Sequence, residues 1–182
     1  MTKRSLIVGL ITLLFLLTAY TVALGVPQVN PSLVRQVRKE LVTLPYYGVF
    51  DWLTFETRRN GTVVLRGQVI RPTTKSDAEA RVKDIDGVTN VVNDIQVLPL
   101  SPNDDRLRSA LYRAIYGGNS PLFRYSNQPI PSIHIIVARG RATLKGVVAN
   151  RGDAQIAYMR ARGVPGLFEV RSELRIEGDE PR

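Results

Sequence analysis

The chain has 182 residues, of which 44% are hydrophobic, and it carries a formal net charge of +9. It contains no cysteine, which excludes disulfides, iron–sulfur clusters, zinc–thiolate sites and thiol nucleophiles. Its single histidine, His134, gives little basis for a catalytic triad or a multi-histidine metal site. Composition therefore argues against most enzyme chemistry, and we expect no cofactor.

The first element in chain order is an uncharged apolar segment, residues 6–26, that follows two basic residues. A basic start followed by an apolar stretch is typical of export signals. The small residues Ala23 and Gly25 fit cleavage after Gly25, which would make residues 1–26 a signal peptide. The length of the stretch is close to the ~20 residues that cross a bilayer, which favours an uncleaved anchor in the inner membrane instead. Either interpretation predicts a periplasmic location for the rest of the chain.

The remainder of the chain contains one pattern twice. A constant shift aligns the hairpin pattern at Gly61 with the pattern at Gly140, and the same shift aligns Val97 with Ile176 without a gap. This repeat predicts two domains, residues 30–98 and residues 102–177. Each unit is small for an independent hydrophobic core, so we expect the two units to pack against each other.

Within each unit the hydrophobic period predicts the order helix, strand, strand, helix, strand. Asn30 and Ser101 each precede a proline at the start of a helical pattern, as N-cap residues do. Alternating residues then predict hairpins that turn at Gly61 and Gly140, with one extra residue in the first unit that we interpret as a bulge. The fold class is α+β: an N-terminal hydrophobic helix precedes two repeated αββαβ units, each a three-stranded sheet packed on two helices. The strand order stays open.

The doubled motif resembles the BON domain of bacterial envelope and osmotically inducible proteins. The first unit carries nearly the whole family pattern, namely Gly61, Val63, Leu65, Gly67, Val69, Ala78, Gly87, Val88, Val91, Asn93, Ile95 and Val97. The second unit departs from it at Ala142, Leu167 and Ser172 but keeps the glycines. The resemblance implies a non-enzymatic module, often in tandem, that is exported to the periplasm and contacts phospholipid or other envelope components. The expected role is support of envelope integrity or of stress tolerance, and no catalytic residues carry over.

Positive charge is concentrated in the second unit. Residues 102–182 hold 13 basic and 8 acidic side chains, against 10 and 8 in residues 30–101. Arginine pairs bidentately with phosphate and, beside aromatic rings, suits a lipid interface, although a solvated helix surface fits the same residues. We expect anionic membrane lipid or an envelope protein as the partner, and no nucleic acid because the chain is exported. The candidate binding residues are Arg113, Arg124, Arg151, Tyr158, Arg160 and Arg162.

Two further features have more than one interpretation. Aromatic residues cluster before the first strand of each unit, with Tyr47, Phe50 and Trp52 among them, and they suit packing between the units, a covered sheet edge or a membrane interface. His134 faces away from Ile133 and is interpreted as a structural hydrogen-bonding residue, with a pH sensor as the alternative. The alternative to lipid binding is a periplasmic protein-interaction scaffold that binds no lipid.

Overall fold

The computed structural model describes residues 30–179, and the predicted signal peptide or anchor, residues 1–26, lies outside them. The elements of the first unit are α1 (Pro31–Val42), β1 (Trp52–Thr57), β2 (Thr62–Val69), α2 (Pro72–Lys83) and β3 (Asn90–Val97). Those of the second are α3 (Pro102–Tyr116), a 3₁₀ helix (Pro121–Asn127), β4 (Ile133–Ala138), β5 (Arg141–Val148), α4 (Arg151–Arg162) and β6 (Glu169–Ile176). The predicted αββαβ order is confirmed in both units, and the 3₁₀ helix is an addition that the sequence did not predict.

The two sheets have the same topology. Each follows the chain order, β1-β2-β3 in the first unit and β4-β5-β6 in the second. The hairpin strands are antiparallel, and the last strand of each unit lies parallel to the middle one. Gly67 lies opposite Leu53, and its equivalent Gly146 lies opposite Ile133, so the register is also repeated. The second hairpin strand is therefore the central strand, which answers the question that the sequence left open.

The helices begin where the capping residues predict. The Asn30 side chain accepts a hydrogen bond from the Ser32 N–H at 3.0 Å, and the Ser101 hydroxyl accepts one from the Asp104 N–H at 3.2 Å. In both helices a proline occupies the first turn, where its missing N–H needs no partner. These caps fix where the first helix of each unit starts relative to its sheet.

One face of each sheet is buried by the two helices of its unit. The first core consists of Leu33, Val37, Leu41, Leu44, Val63, Leu65, Val69, Ala78, Val82 and Ile95. The second consists of Leu107, Leu111, Ile115, Ile133, Ile135, Val137, Ala142, Leu144, Val148, Ala157, Ala161 and Val164. It is enlarged by Tyr116, Leu122 and Tyr125 from the end of α3 and the 3₁₀ helix. The helical and alternating patterns of the sequence thus identify the inward-facing residues correctly.

The two hairpins differ in their turns. In the first, the Arg58 N–H donates to the Thr62 carbonyl at 2.8 Å, which leaves residues 59–61 in the turn. In the second, the turn contains only Arg139 and Gly140, both with positive φ, as a two-residue type I′ turn requires. In the first unit the Gly61 N–H also donates to the Arg58 carbonyl at 3.0 Å, and Gly61 has a φ of 76°. This is the geometry of a three-residue loop that ends in a G1 bulge, so the extra residue forms a bulge at the turn and not within β1.

The glycine in the middle of each central strand is required by a close backbone approach. Gly67 has a φ of 133°, and a Cβ built on it would lie 1.9 Å from the Trp52 carbonyl oxygen. Gly146 has a φ of 121°, and its Cβ would lie 1.9 Å from the Ser132 carbonyl oxygen. Any side chain here would force the outer strand away from the central one, so these glycines preserve the start of each hairpin.

We predict that Gly67→Ala and Gly146→Ala each lower the free energy of unfolding by at least about 3 kcal/mol, because the strained φ and the overlap with a backbone carbonyl add. Gly48→Ala is the matched control, since Gly48 has no positive φ and no atom within 4 Å of a built Cβ. It should change stability by less than about 0.5 kcal/mol. Urea unfolding of the three variants measures these differences, and equal stability of all three would contradict the steric explanation.

Candidate functional site

The loop between α1 and β1, residues 43–51, joins the two units. The Val49 carbonyl accepts a hydrogen bond from the N–H of Ile135 in β4 at 2.8 Å, so this loop contacts the outer edge of the second sheet at Ile135. Val49 and Phe50 pack against the second core, and the Phe50 ring meets the edge of Tyr112 with ring centroids 6.3 Å apart. The aromatic cluster therefore packs the units together and covers a sheet edge, two of the three roles expected from the sequence.

A buried carboxylate holds this loop in shape. Asp51 is 1% exposed, and its two carboxylate oxygens accept hydrogen bonds from the Ile70 N–H at 2.8 Å and the Gly48 N–H at 3.1 Å. Burial raises the pKa of Asp51, while these two backbone donors and the nearby arginines Arg71 and Arg108 act to lower it. Asp51 thus fixes the loop to the end of β2, so that Val49 and Phe50 are presented to the second unit.

His134 lies inside the contact between the units. It is 6% exposed, and its ring centroid lies 5.0 Å from that of Trp52 and 5.7 Å from that of Tyr47. Its Nδ1 is buried without a hydrogen-bond partner among the described residues, and the backbone of Asp51 and Gly48 lies near the ring. Burial lowers the pKa of His134, against a smaller opposing effect of the Asp51 and Gly48 backbone. The neutral imidazole therefore packs as an aromatic ring between the two units.

Two of the predicted binding arginines are held by contacts within the second unit. The Arg160 guanidinium donates to the Ala114 carbonyl at 3.1 Å and to the Asn119 carbonyl at 3.2 Å, and it thereby caps the end of α3. Arg124 forms a salt bridge with the buried Asp153, which also accepts a hydrogen bond from the Tyr125 hydroxyl. These hydrogen bonds and burial act on the pKa of Asp153 in opposite directions, and the net shift is downward. Both arginines position α4 against its neighbours.

Three other predicted residues lie on one exposed face of α4. Arg151, Tyr158 and Arg162 follow a helical spacing of seven and four residues, which places them along one stripe. The Arg162 guanidinium lies 5.7 Å from the centroid of the Tyr158 ring. Arg151 and Tyr158 also line a shallow groove between α4 and β6, together with Arg171 and with Glu173, whose carboxylate is paired with Lys145. We call Arg151, Tyr158, Arg162 and Arg171 the α4 patch.

Arg171 belongs to the patch but was not predicted from the sequence, because the β6 alternation gave no indication that α4 lies beside it. It forms a salt bridge with Glu169 at 2.6 Å, whereas Arg151 and Arg162 form none with any carboxylate of residues 30–179. Arg113, the sixth predicted residue, lies on α3 and lines a separate groove with Pro165 and Gly166. The structure therefore brings together three of the six predicted residues.

A family model for the BON domain matches residues 53–99 and residues 103–178. The chain belongs to the BON-domain family. BON domains are envelope-associated binding modules and are generally non-catalytic, and the two matches show that this chain carries them in tandem. Within residues 30–179, no helix is both long and apolar enough to span a bilayer.

Other comparisons add little to this assignment. A search of curated proteins gives no match. Among solved structures, CdsD, a structural protein of the type III secretion system of Chlamydia trachomatis, aligns at 13% identity and a TM-score of 0.30 over 79% of this chain and 91% of that one. A second structure, of the CdsD C-terminal domain, gives the same identity and score over 82% and 99%. At this identity and TM-score, neither structure supports a conclusion about the BON-domain chain.

The two BON domains differ most on their second helices. In α4 the only carboxylate, Asp153, is buried and paired with Arg124. In α2, the equivalent helix, Asp77 and Glu79 interrupt the basic residues. The exposed face of α4 therefore carries basic side chains and no carboxylate, unlike the exposed face of α2.

We predict that Arg160→Met lowers the free energy of unfolding by about 1 to 2 kcal/mol, because two carbonyls lose a charged donor. Arg162→Met, two residues along the same helix, removes the same charge from an exposed side chain without such bonds and should change stability by less than about 0.5 kcal/mol. Chemical denaturation measures both variants. Equal effects would show that the Arg160 contacts do not stabilise the end of α3.

We also predict that acidification weakens the contact between the BON domains through His134. Since its pKa is lowered by folding, the unfolded chain takes up a proton that the folded chain excludes, and stability falls as the pH drops below about 6.5. The other titratable groups near the His134 ring are Tyr47, Asp51 and Lys145, the last of which is its register partner in β5. Thermal unfolding from about pH 7.5 to about pH 5.5 should show a smaller loss for His134→Gln than for the wild type. An identical pH dependence would mean that His134 is not the responsible group.

Proposed function

We propose that this tandem BON protein is an exported, non-enzymatic binding module of the cell envelope whose second BON domain contacts anionic phospholipid through the α4 patch. The observation that carries the proposal is the exposed, carboxylate-free stripe of Arg151, Tyr158 and Arg162 on α4. Through this contact the protein would support envelope integrity or stress tolerance. The family assignment supports the envelope location and the binding role.

The chemistry of the patch matches a phospholipid headgroup. Arg151 and Arg162 have no carboxylate partner among the described residues, so their guanidinium groups are available for bidentate pairing with phosphate. The Tyr158 ring between them is half-buried, and such amphipathic rings are favoured where apolar and wet regions meet. The neighbouring Met159 is 60% exposed and supplies apolar area on the same helix. Each basic residue near an anionic surface contributes about 1 kcal/mol, so the patch suits a weak, reversible contact.

The alternative is a periplasmic scaffold that binds proteins and no lipid. It is favoured by an open strand edge in the first BON domain, described below. Under both proposals the apolar segment at residues 6–26 would direct the chain to the periplasm or hold it at the inner membrane.

We predict that residues 27–182, which include every described element and both cores, co-sediment with vesicles of anionic phospholipid more strongly than with vesicles of phosphatidylcholine alone. Arg151→Glu combined with Arg162→Glu should weaken the anionic binding by about tenfold or more, since two attractive contacts become repulsive. Raising the salt concentration should also weaken the binding of the wild type to anionic vesicles.

Lys75→Glu combined with Lys83→Glu is the matched control, because it makes the same charge change on the equivalent helix of the first BON domain. This control should keep most of the binding of the wild type. Equal losses of binding in the two double variants would show that only net charge matters and that the α4 patch has no specific role. Equal binding to neutral and anionic vesicles would remove the phospholipid proposal altogether.

A further inference from the structure

The outer edge of β1 carries backbone groups that the sheet does not use. The Arg58 N–H donates to the Thr62 carbonyl, and in an antiparallel pair the residues that exchange hydrogen bonds alternate. Residues 52, 54 and 56 therefore pair with β2, whereas Phe55 and Thr57 direct their N–H and C=O groups away from it. No hydrogen bond within residues 30–179 uses the backbone of Phe55 or Thr57 on that side.

The second BON domain shows what such an edge accepts. Phe55 lies opposite Leu65, and its equivalent Ile135 lies opposite Leu144. The Ile135 N–H donates to the carbonyl of Val49, which lies in the Gly48–Asp51 turn of the other unit. Side chains of α3 contact the neighbouring outward groups, the Tyr116 hydroxyl at Ile133 and the Arg108 guanidinium at the Val137 carbonyl. The same edge position is thus covered by a peptide backbone in one domain and open in its duplicate.

The open edge of β1 forms one wall of a groove of about 470 Å³. The opposite wall is α1, and residues of β4, β5 and β6 in the second BON domain complete the lining. The lining is largely apolar and includes Val34, Leu41, Val42, Tyr47, Leu53 and Phe55. Val42 is 46% exposed, so the groove leaves apolar surface uncovered beside a row of unpaired backbone groups.

The charges at the groove are positive. Arg38 of α1 and Arg175 of β6 both line it and are exposed, and neither forms a salt bridge within residues 30–179. None of the acidic residues within 30–179 lines the groove. An occupant that pairs with β1 would therefore gain from acidic side chains and from apolar side chains that alternate with them.

We infer that the first BON domain binds an extended acidic peptide segment of a partner protein, which adds to β1 as a fourth strand of the sheet. The backbone of Phe55 and Thr57 supplies the hydrogen bonds, the α1 wall receives alternate apolar side chains, and Arg38 and Arg175 select acidic ones. This site shares no residue with the α4 patch, so the peptide and lipid proposals are tested by separate experiments.

Amide hydrogen exchange tests the inference, because strand addition should protect alternate residues of β1 only. The probe is a heptapeptide of alternating valine and glutamate, added to the full-length chain in non-ionic detergent micelles. Exchange at Phe55 and Thr57 should slow on binding, because their N–H groups enter a new ladder, whereas Thr54 and Glu56 already donate to β2 and should not change. The same peptide with N-methyl groups on alternate amides should bind about tenfold less tightly.

Variants separate the backbone contact from the charges. Thr57→Pro removes one outward N–H at an edge position that proline tolerates, and it should weaken peptide binding in fluorescence anisotropy by about tenfold, whereas Thr57→Val should not. Arg38→Glu combined with Arg175→Glu should weaken binding of the valine–glutamate peptide. The same variant should instead bind a peptide of alternating valine and lysine. Vesicle binding through the α4 patch should be unchanged in all of these variants.

Several outcomes would overturn the inference. Protection of Phe55 and Thr57 in the chain without peptide would show that another segment of this chain already covers the edge. Binding of laurate in the groove with no change in amide exchange would identify a small amphiphile as the occupant. Equal binding of the N-methylated and unmodified peptides, or no peptide binding, would exclude strand addition.

Discussion

A three-stranded sheet has two outer edges, and covering them is the constraint on which much of this structure depends. In the second BON domain the Val49 carbonyl covers the edge at Ile135, at a hydrogen-bond distance of 2.8 Å. That contact requires the loop of residues 43–51 to reach across the units, and Asp51 holds the loop in the shape that does so. The rings of Phe50 and Trp52 then fill the space behind it, so an edge of one domain becomes the interface between both.

The two BON domains share their backbone constraints and differ in their surfaces. Gly67 and Gly146 face the same steric limit, a carbonyl oxygen of the outer strand 1.9 Å from a built Cβ, so both positions remain glycine. Surface positions carry no such limit. The stripe on α4 has no carboxylate, whereas α2 carries Asp77 and Glu79, and the edge of β1 is open where that of β4 is covered at Ile135. One fold therefore presents a cationic helix in one copy and an unpaired strand in the other.

The sequence predicted what depends on local pattern and missed what depends on packing across elements. Periodicity identified Leu33, Val37 and Leu41 as core residues, because a buried helix face imposes its spacing on the sequence. It could not show that Arg160 caps the end of α3, since the carbonyls of Ala114 and Asn119 lie more than 40 residues away along the chain. Strand order and the unpartnered Nδ1 of His134 were beyond prediction for the same reason. Of the six predicted binding residues, the three that share an α4 face could be found by helical spacing.

Both proposed contacts are individually weak, and this bears on how the protein would work. A patch with two unpaired arginines gains about 1 kcal/mol from each near an anionic surface, and a short added strand gains about 0.5 to 1.5 kcal/mol from each backbone hydrogen bond. Each sum offsets only part of the loss of translational freedom, so residues 27–182 in solution and a free peptide should bind weakly. If the apolar segment at residues 6–26 holds the chain at the membrane, that loss has already occurred before either surface binds. Lipid and peptide would then be bound at the high effective concentration of a tethered site, and weak contacts on separate elements would suffice.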